Sequence, residues 1–422
     1  MTTHAIGTET VVIVGAGIAG GNAAVTLREG GWQGAIILLG AEPGIPFGRP
    51  PLSKTYLRGE EDLSAWYVRP GDWYSRHGIE LRTAAAMRQL DAAGKQLRLA
   101  DGEIVHYDRL VLCTGGRNRR FEVPGATLPG VYQLRTIAEC DAIREAASPG
   151  ARVVVAGMGF IGAEVAASLR QMGLEVTAVV SGSGPLASVL GGEASDVLAG
   201  IHRGHGVRLV LGDHVAGIEG SHSVERVVTT RGESLACDLV VAGIGIVPAV
   251  DVFSDTAISL DNGILVDEYC QTSVPDVYAA GDVANLLHPV FGRVRVEHFN
   301  NAEKQGRAVA HTLLGRGGPY DYIYSFWSDQ YEHKLEYVGF ARSWDQTVVR
   351  GKVESRRFLI FYLENGRIQA VFGLNRGGDP ESEADSELRA CQELIRSRAK
   401  PPSHALADER VDLWSLEGTG RR

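Results

Sequence analysis

Cysteine is scarce in this chain and never closely spaced. Cys113, Cys140, Cys237, Cys270 and Cys391 form no C-x-x-C or C-x4-C pair, which excludes a redox dithiol and a cysteine-rich metal site. They read as small buried apolar residues. An excess of positive charge is missing too. The net charge of -9 argues against a nucleic-acid partner, although it leaves room for a local basic docking face. No membrane span is expected, because the apolar stretch Val153 to Leu169 is too short and is broken by Glu164. Met1 to Thr10 has neither the charged nor the apolar region of a signal peptide, so a cytoplasmic location is expected. His202, His205 and His214 lack ligand spacing and no Ser-His-Asp set is legible, so no metal is expected.

Glycine is what the chain has in abundance. The 53 glycines among 422 residues suit a turn-rich α/β fold. Two groups carry most of the information. Gly15-Ala16-Gly17-Ile18-Ala19-Gly20 follows the apolar run Thr10 to Val14, and Gly157-Met158-Gly159-Phe160-Ile161-Gly162 follows Arg152 to Ala156. Each sits where a strand should turn into a helix. There the first glycine allows the tight turn, the second admits a pyrophosphate, and the third lets helix and strand pack closely. The helix N-terminus attracts the anion. Two such matches in one chain predict two dinucleotides. Flavin plus nicotinamide is the economical pair, and it points to hydride transfer.

Alternating strand and helix signals from Thr10 to about Leu314 predict an α/β fold with two Rossmann-like dinucleotide-binding domains. Asp108 to Gly116 reads as a strand entering a glycine turn, where the chain leaves the first domain. Asp238 to Gly245 repeats the pattern and marks the return. The expected division is 1–114 with 244–318, then 115–243, then 319–422. The last part reads as α+β, with Asn365-Gly366 between two strands as a hairpin signal and a helix over about Glu383 to Ser397.

The order of motifs then becomes specific. The first glycine group, Arg49-Pro50-Pro51-Leu52-Ser53-Lys54, the second group, Ala279-Ala280-Gly281-Asp282, and Trp327-Ser328-Asp329-Gln330 together resemble the FAD-dependent ferredoxin reductases of oxygenase systems. Apoptosis-inducing-factor-like flavoproteins share much of the pattern. The resemblance implies a fold of the glutathione-reductase type without the redox disulfide. It implies FAD as cofactor, NADH or NADPH as co-substrate and a [2Fe–2S] ferredoxin as partner, with the protein a monomer or dimer. The alternative is a stand-alone flavin oxidoreductase acting on a small molecule or oxygen, to which His298 and Glu336 to Gly339 lean.

By the same resemblance Gly15, Gly17, Ala19 and Gly20 cradle the FAD pyrophosphate, and Gly281 and Asp282 meet the flavin-side phosphate or ribityl chain. Met87, Arg135 and Phe299 are implied as further FAD contacts, with Trp327 near the flavin edge or the docking face. Ribose recognition falls to Glu42 or to backbone, since Ala41 stands where an acid is usual. Lys54, on a loop stiffened by two prolines, is implied at the flavin and paired with Glu164. A cation there stabilises reduced flavin. Arg49 is a similar candidate. Gly157, Gly159, Phe160, Ile161, Gly162 and Glu164 form the nicotinamide turn. Its second strand ends Val179-Val180-Ser181, with Val180 in the usual place of an acid and no arginine close behind, so weak coenzyme discrimination with a lean to NADH is expected. Arg293, Arg295, Lys304 and Arg307 are the expected local basic patch.

Overall fold

The computed structural model describes residues 8–417. In chain order the elements that position the site begin with β1 (Val11–Val14), α1 (Ile18–Glu29), β2 (Ile36–Leu39), β3 (Ile79–Arg82) and β4 (Arg109–Leu112). Next come β5 (Val131–Gln133), α2 (Ile137–Ala146), β6 (Arg152–Ala156), α3 (Phe160–Gln171), β7 (Glu175–Val180), α4 (Ala187–Gly204), β8 (Arg208–Leu211) and β9 (Leu239–Ala242). The chain closes with β10 (Val277–Ala279), α5 (Phe299–Leu313), β11 (Ser325–Gln330), β12 (His333–Gly339), β13 (Gln346–Lys352), β14 (Arg357–Glu364), β15 (Arg367–Leu374) and α6 (Glu387–Arg396).

Two compact units result. The first comprises Met1–Arg49, Leu63–Arg117 and Ile246–Tyr322. Its centre is a five-stranded parallel sheet in the order β10-β4-β1-β2-β3. β1 is Val-Val-Ile-Val and buried at every residue, as a strand covered on both faces must be. α1 packs against α5 beside it. The fifth strand, β10, is supplied only after the chain has come back from the other unit.

The second unit comprises Pro50–Asp62, Asn118–Gly245 and Ile323–Arg422. Its parallel sheet has the order β8-β7-β6-β9-β5; four strands repeat the pattern of the first unit, while the outer β5 precedes its partners in the chain where β10 follows them. A second sheet in this unit is antiparallel, in the order β11-β12-β15-β14-β13. The Asn365-Gly366 turn joins β14 to β15 with φ of +52° and +74°, the left-handed pair that a tight hairpin requires.

One boundary differs from the sequence reading. Residues 50–62, expected with the first domain, belong to the second unit. There the Leu52 carbonyl accepts the Cys140 thiol at 3.1 Å, and Tyr56 Oη donates to Asp141 at 2.9 Å. The chain passes from the first unit to the second between Tyr322 and Ile323. Leu190, Ala194, Leu198 and Ile201 of α4 pack with Tyr337, Phe358, Tyr362 and Phe372 of the antiparallel sheet in one apolar cluster. That cluster lies within the second unit.

Candidate redox site

The two glycine turns have one geometry. Gly15 has φ +112° and Gly157 has φ +93°, a region in which a side chain is strained. A Cβ on Gly15 would overlap the Cys113 carbonyl, and one on Gly157 would lie 2.6 Å from the Gly243 carbonyl. The third glycines, Gly20 and Gly162, would overlap the carbonyls of Gly15 and Gly157. All four are therefore demanded by the protein itself. The middle glycines are not. Gly17 and Gly159 have ordinary negative φ, and a Cβ on either would meet nothing within 4 Å. They are the N-caps of α1 and α3, and neither helix has a side-chain cap. Bare helix N-termini with space kept open in front fit a pyrophosphate, and this holds in each unit.

In the first unit, Gly281 has φ +80°, and a Cβ there would come 2.9 Å from Ala19 Cβ. Its N–H donates to Gln305 Oε1 at 2.8 Å, and Gly306 of α5 lies so close that a Cβ would overlap the Ala19 carbonyl. Ala19 and Gly281 therefore bring Asp282 to the first glycine turn. Ala41 is exposed after β2, while Glu42 beside it pairs with Arg49. That pair stands at the carboxyl end of β2. Phe299, the first residue of α5, stands edge-on to Trp66 at 6.1 Å and against Gly48. Met87 is buried at the start of the meander strand Met87–Asp91.

The cations of the expected basic patch have neighbours within their own unit. Arg293 donates to the Asn285 carbonyl at 2.8 Å, Arg295 pairs with Glu297 at 2.7 Å, and Lys304 lies 5.0 Å over the Tyr322 ring. In a chain of net negative charge these cations have found acceptors close by.

In the second unit, Lys54 Nζ lies 2.6 Å from Glu164 Oε2. Both are buried, with the Glu164 side chain 3% exposed. Ser53 Oγ donates to the same oxygen, and Ser328 Oγ donates to Glu164 Oε1 at 2.7 Å. The loop is stitched to α3 a second time, because Ser168 Oγ donates to the Ser53 carbonyl at 2.7 Å. Sequence reading missed Ser53 and Ser328, although both lie inside quoted motifs, because their partner is remote in sequence. Phe160 meets Phe326 edge-on at 4.6 Å, while Ile161 is exposed on the first turn of α3. Trp327 is half-buried on β11, opposite Glu336. Arg135 precedes the Thr136 N-cap of α2, and its N–H donates to Glu139 at 2.7 Å. Val180 is buried at the end of β7. At the end of the adjacent β8, Arg231 Nη1 donates to the Leu211 carbonyl at 3.4 Å.

The five cysteines are free and buried, and burial pushes the thiols of Cys113, Cys140 and Cys270 up to about 12. Two dinucleotide turns thus stand in a chain with no thiol pair to pass electrons on. Residues 9–306 match the pyridine nucleotide-disulphide oxidoreductase family model, and 325–417 match the reductase C-terminal model.

The chain belongs to the pyridine nucleotide-disulphide oxidoreductase family.

Within this family it is 40% identical to rhodocoxin reductase of Rhodococcus erythropolis over 373 residues, 87% of each chain. It is 36% identical to putidaredoxin reductase of Pseudomonas putida, over 97% of this chain and 96% of that one. The solved covalent complex of putidaredoxin reductase with putidaredoxin contains a chain that superposes with a TM-score of 0.91 at 36% identity, covering 97% of this chain and 98% of that chain. The protein is thus an oxidoreductase of the ferredoxin-reductase branch, in which FAD and NAD(P)H are the redox pair. No helix among the described residues is long and apolar enough to cross a membrane.

Proposed function

We propose that this oxidoreductase carries electrons from NADH or NADPH, through FAD, to a [2Fe–2S] ferredoxin serving a cytochrome monooxygenase or a Rieske oxygenase in the cytoplasm. The observation that carries the proposal is the pair of open glycine cradles at Gly17 and Gly159 in a chain whose five cysteines are all unpaired. With no dithiol to receive electrons, the acceptor is external. The names of the relatives, among them a ferredoxin–NAD(P)(+) reductase and a reductase solved with putidaredoxin, agree with a small redox protein in that role.

Each residue has a role in this reading. The N–H groups following Gly17 hold the FAD pyrophosphate, with Asp282 on the flavin-side phosphate or ribityl chain. The N–H groups following Gly159 hold the nicotinamide nucleotide. When bound, FAD supplies hydride acceptance and the splitting of an electron pair into single steps. Lys54 contributes positive charge where reduction adds negative charge, and Glu164 fixes its direction. Phe299, Met87 and Arg135 are further FAD contacts, and Trp327 stands near the flavin edge or the docking face.

The test is anaerobic mixing of the FAD-loaded protein with NADH, then with a purified [2Fe–2S] ferredoxin. The expected result is flavin bleaching followed by ferredoxin reduction. Bleaching that is relieved by oxygen or a quinone but never by a ferredoxin overturns the proposal in favour of a stand-alone flavin oxidoreductase.

A further inference from the structure

The Lys54–Glu164 pair is one end of a longer buried chain. Gln330 Nε2 lies 3.2 Å from Ser328 Oγ. Gln330 Oε1 lies 3.0 Å from His202 Nε2, and His202 Nδ1 lies 3.2 Å from Tyr331 Oη. Glu164, Ser328, Gln330 and His202 are all nearly inaccessible, and they come from α3, β11 and α4.

The donor count fixes the direction of every bond. An ionised carboxylate only accepts, so Ser328 spends its proton on Glu164. Ser328 Oγ must then accept from its other neighbour, so the Gln330 amide presents its nitrogen there and its oxygen to His202. That oxygen only accepts, so His202 carries its proton on Nε2. Burial holds His202 down to about 4, and the ring is neutral at pH 7 with Nδ1 bare. The phenol of Tyr331 donates to Nδ1. All four hydrogen bonds therefore point from Tyr331 towards Glu164. The chain orients and does not conduct, because passing a proton through the Gln330 amide requires its imidic acid form.

We propose that His202 is a positioning residue for Lys54. Its Nε2–H tautomer sets the Gln330 amide, which sets the Ser328 hydroxyl and gives Glu164 Oε1 the one donor that opposes rotation of the carboxylate about its Oε2 contacts. Tyr331 locks the tautomer, and its own ring is stacked on His205 at 3.7 Å. The inference rests on the proposed function only in placing Lys54 at the flavin. The tautomer stands apart from it.

Two measurements test the chain. In wild-type holoenzyme with 15N-labelled histidine, proton–nitrogen correlation should show His202 as a neutral Nε2–H tautomer at pH 7. An Nδ1–H tautomer or a charged ring overturns the proposal whether or not any variant folds. In the second, the midpoint potential of bound flavin is measured for His202→Leu, Ser328→Ala and the double variant. The expected result is a shift of one sign in both single variants, no further shift in the double, and partial return with His202→Gln, whose amide can still donate to Gln330. Additive shifts, or a Ser328→Ala shift without a His202→Leu shift, overturn it. Lys54→Met is the control. If Lys54→Met leaves the potential unmoved, the placement of Lys54 in the proposed function has failed, while the tautomer result still decides the chain.

Discussion

Arg307 of α5 reaches across to α1, where its Nε donates to Asn22 Oδ1 at 3.1 Å, and it also pairs with Glu303 one turn back on its own helix. Asn22 is buried, so Arg307 supplies a donor to an acceptor that has little access to water. An arginine that reads in sequence as part of a docking face is also a clamp between two helices.

Arg307→Glu should therefore act twice. Losing the donor to a buried amide oxygen costs about 1–3 kcal/mol, and a second carboxylate at the i+4 position from Glu303 adds repulsion. Thermal unfolding should show the loss. Ferredoxin reduction should also fall more than ferricyanide reduction, because a small acceptor needs no docking face and rim charges act mainly on association rate. Equal falls in the two activities at a temperature where the variant is folded would remove Arg307 from the docking face.

The glycine turns separate fold from ligand. Gly15→Ala should destabilise strongly, since it combines a left-handed φ with overlap on the Cys113 carbonyl. Gly17→Ala should fold with the melting temperature of the FAD-free wild type yet retain little FAD. Gly159→Ala should keep FAD and raise the KM for the nicotinamide nucleotide. FAD released by acid, measured per mole of protein, checks all three. Full FAD in Gly17→Ala would show that the open space is not the pyrophosphate cradle.

Lys54 and Glu164 should behave as a buried pair. Removing one partner, as in Lys54→Met, leaves the other charge uncompensated and costs about 3–5 kcal/mol. The double variant Lys54→Met/Glu164→Gln should cost less than the sum of the single variants. Denaturant unfolding of the FAD-free proteins measures this, and additivity would show that the two side chains do not depend on each other.

His202 predicts a pH dependence. Burial lowers it from an ordinary 6.5 to about 4. Between those values the unfolded chain binds a proton that the folded chain refuses. Stability is therefore full above about 6.5 and falls as the pH drops towards 4, by at most about 1.4 kcal/mol per pH unit for one group. His202→Gln should flatten that part of the curve in denaturant titrations at pH 7, 6 and 5. A variant curve parallel to that of wild type would contradict the assignment.

Coenzyme choice should turn on the ends of β7 and β8. Val180→Glu should lower kcat/KM for NADPH tenfold or more relative to NADH, about 1.4 kcal/mol or greater, by repelling a 2′-phosphate. Arg231→Ala should lower the NADPH value alone. Parallel changes for both coenzymes would place the ribose elsewhere.

The two strand–glycine–helix turns, the β14–β15 hairpin and α6 were legible in sequence because each depends on neighbours a few residues apart. Gly15 needs its left-handed φ whatever the rest of the chain does, and Asn365-Gly366 turns on its own backbone. Lys54 was legible as a positioned cation, and its pairing with Glu164 came by resemblance. Nothing in the sequence named Ser328, 164 residues from Glu164, or His202, 128 residues from Gln330. Likewise the apolar stripe of α4 announces that it is buried but not against what, and only the tertiary structure supplies Tyr337, Phe358 and Phe372. The physical reason is that backbone conformation and helix ends are set by local sterics and local hydrogen bonds. A buried polar group takes whichever donor the folded chain delivers, and an apolar face takes any complementary face, so those choices are made only when distant segments meet.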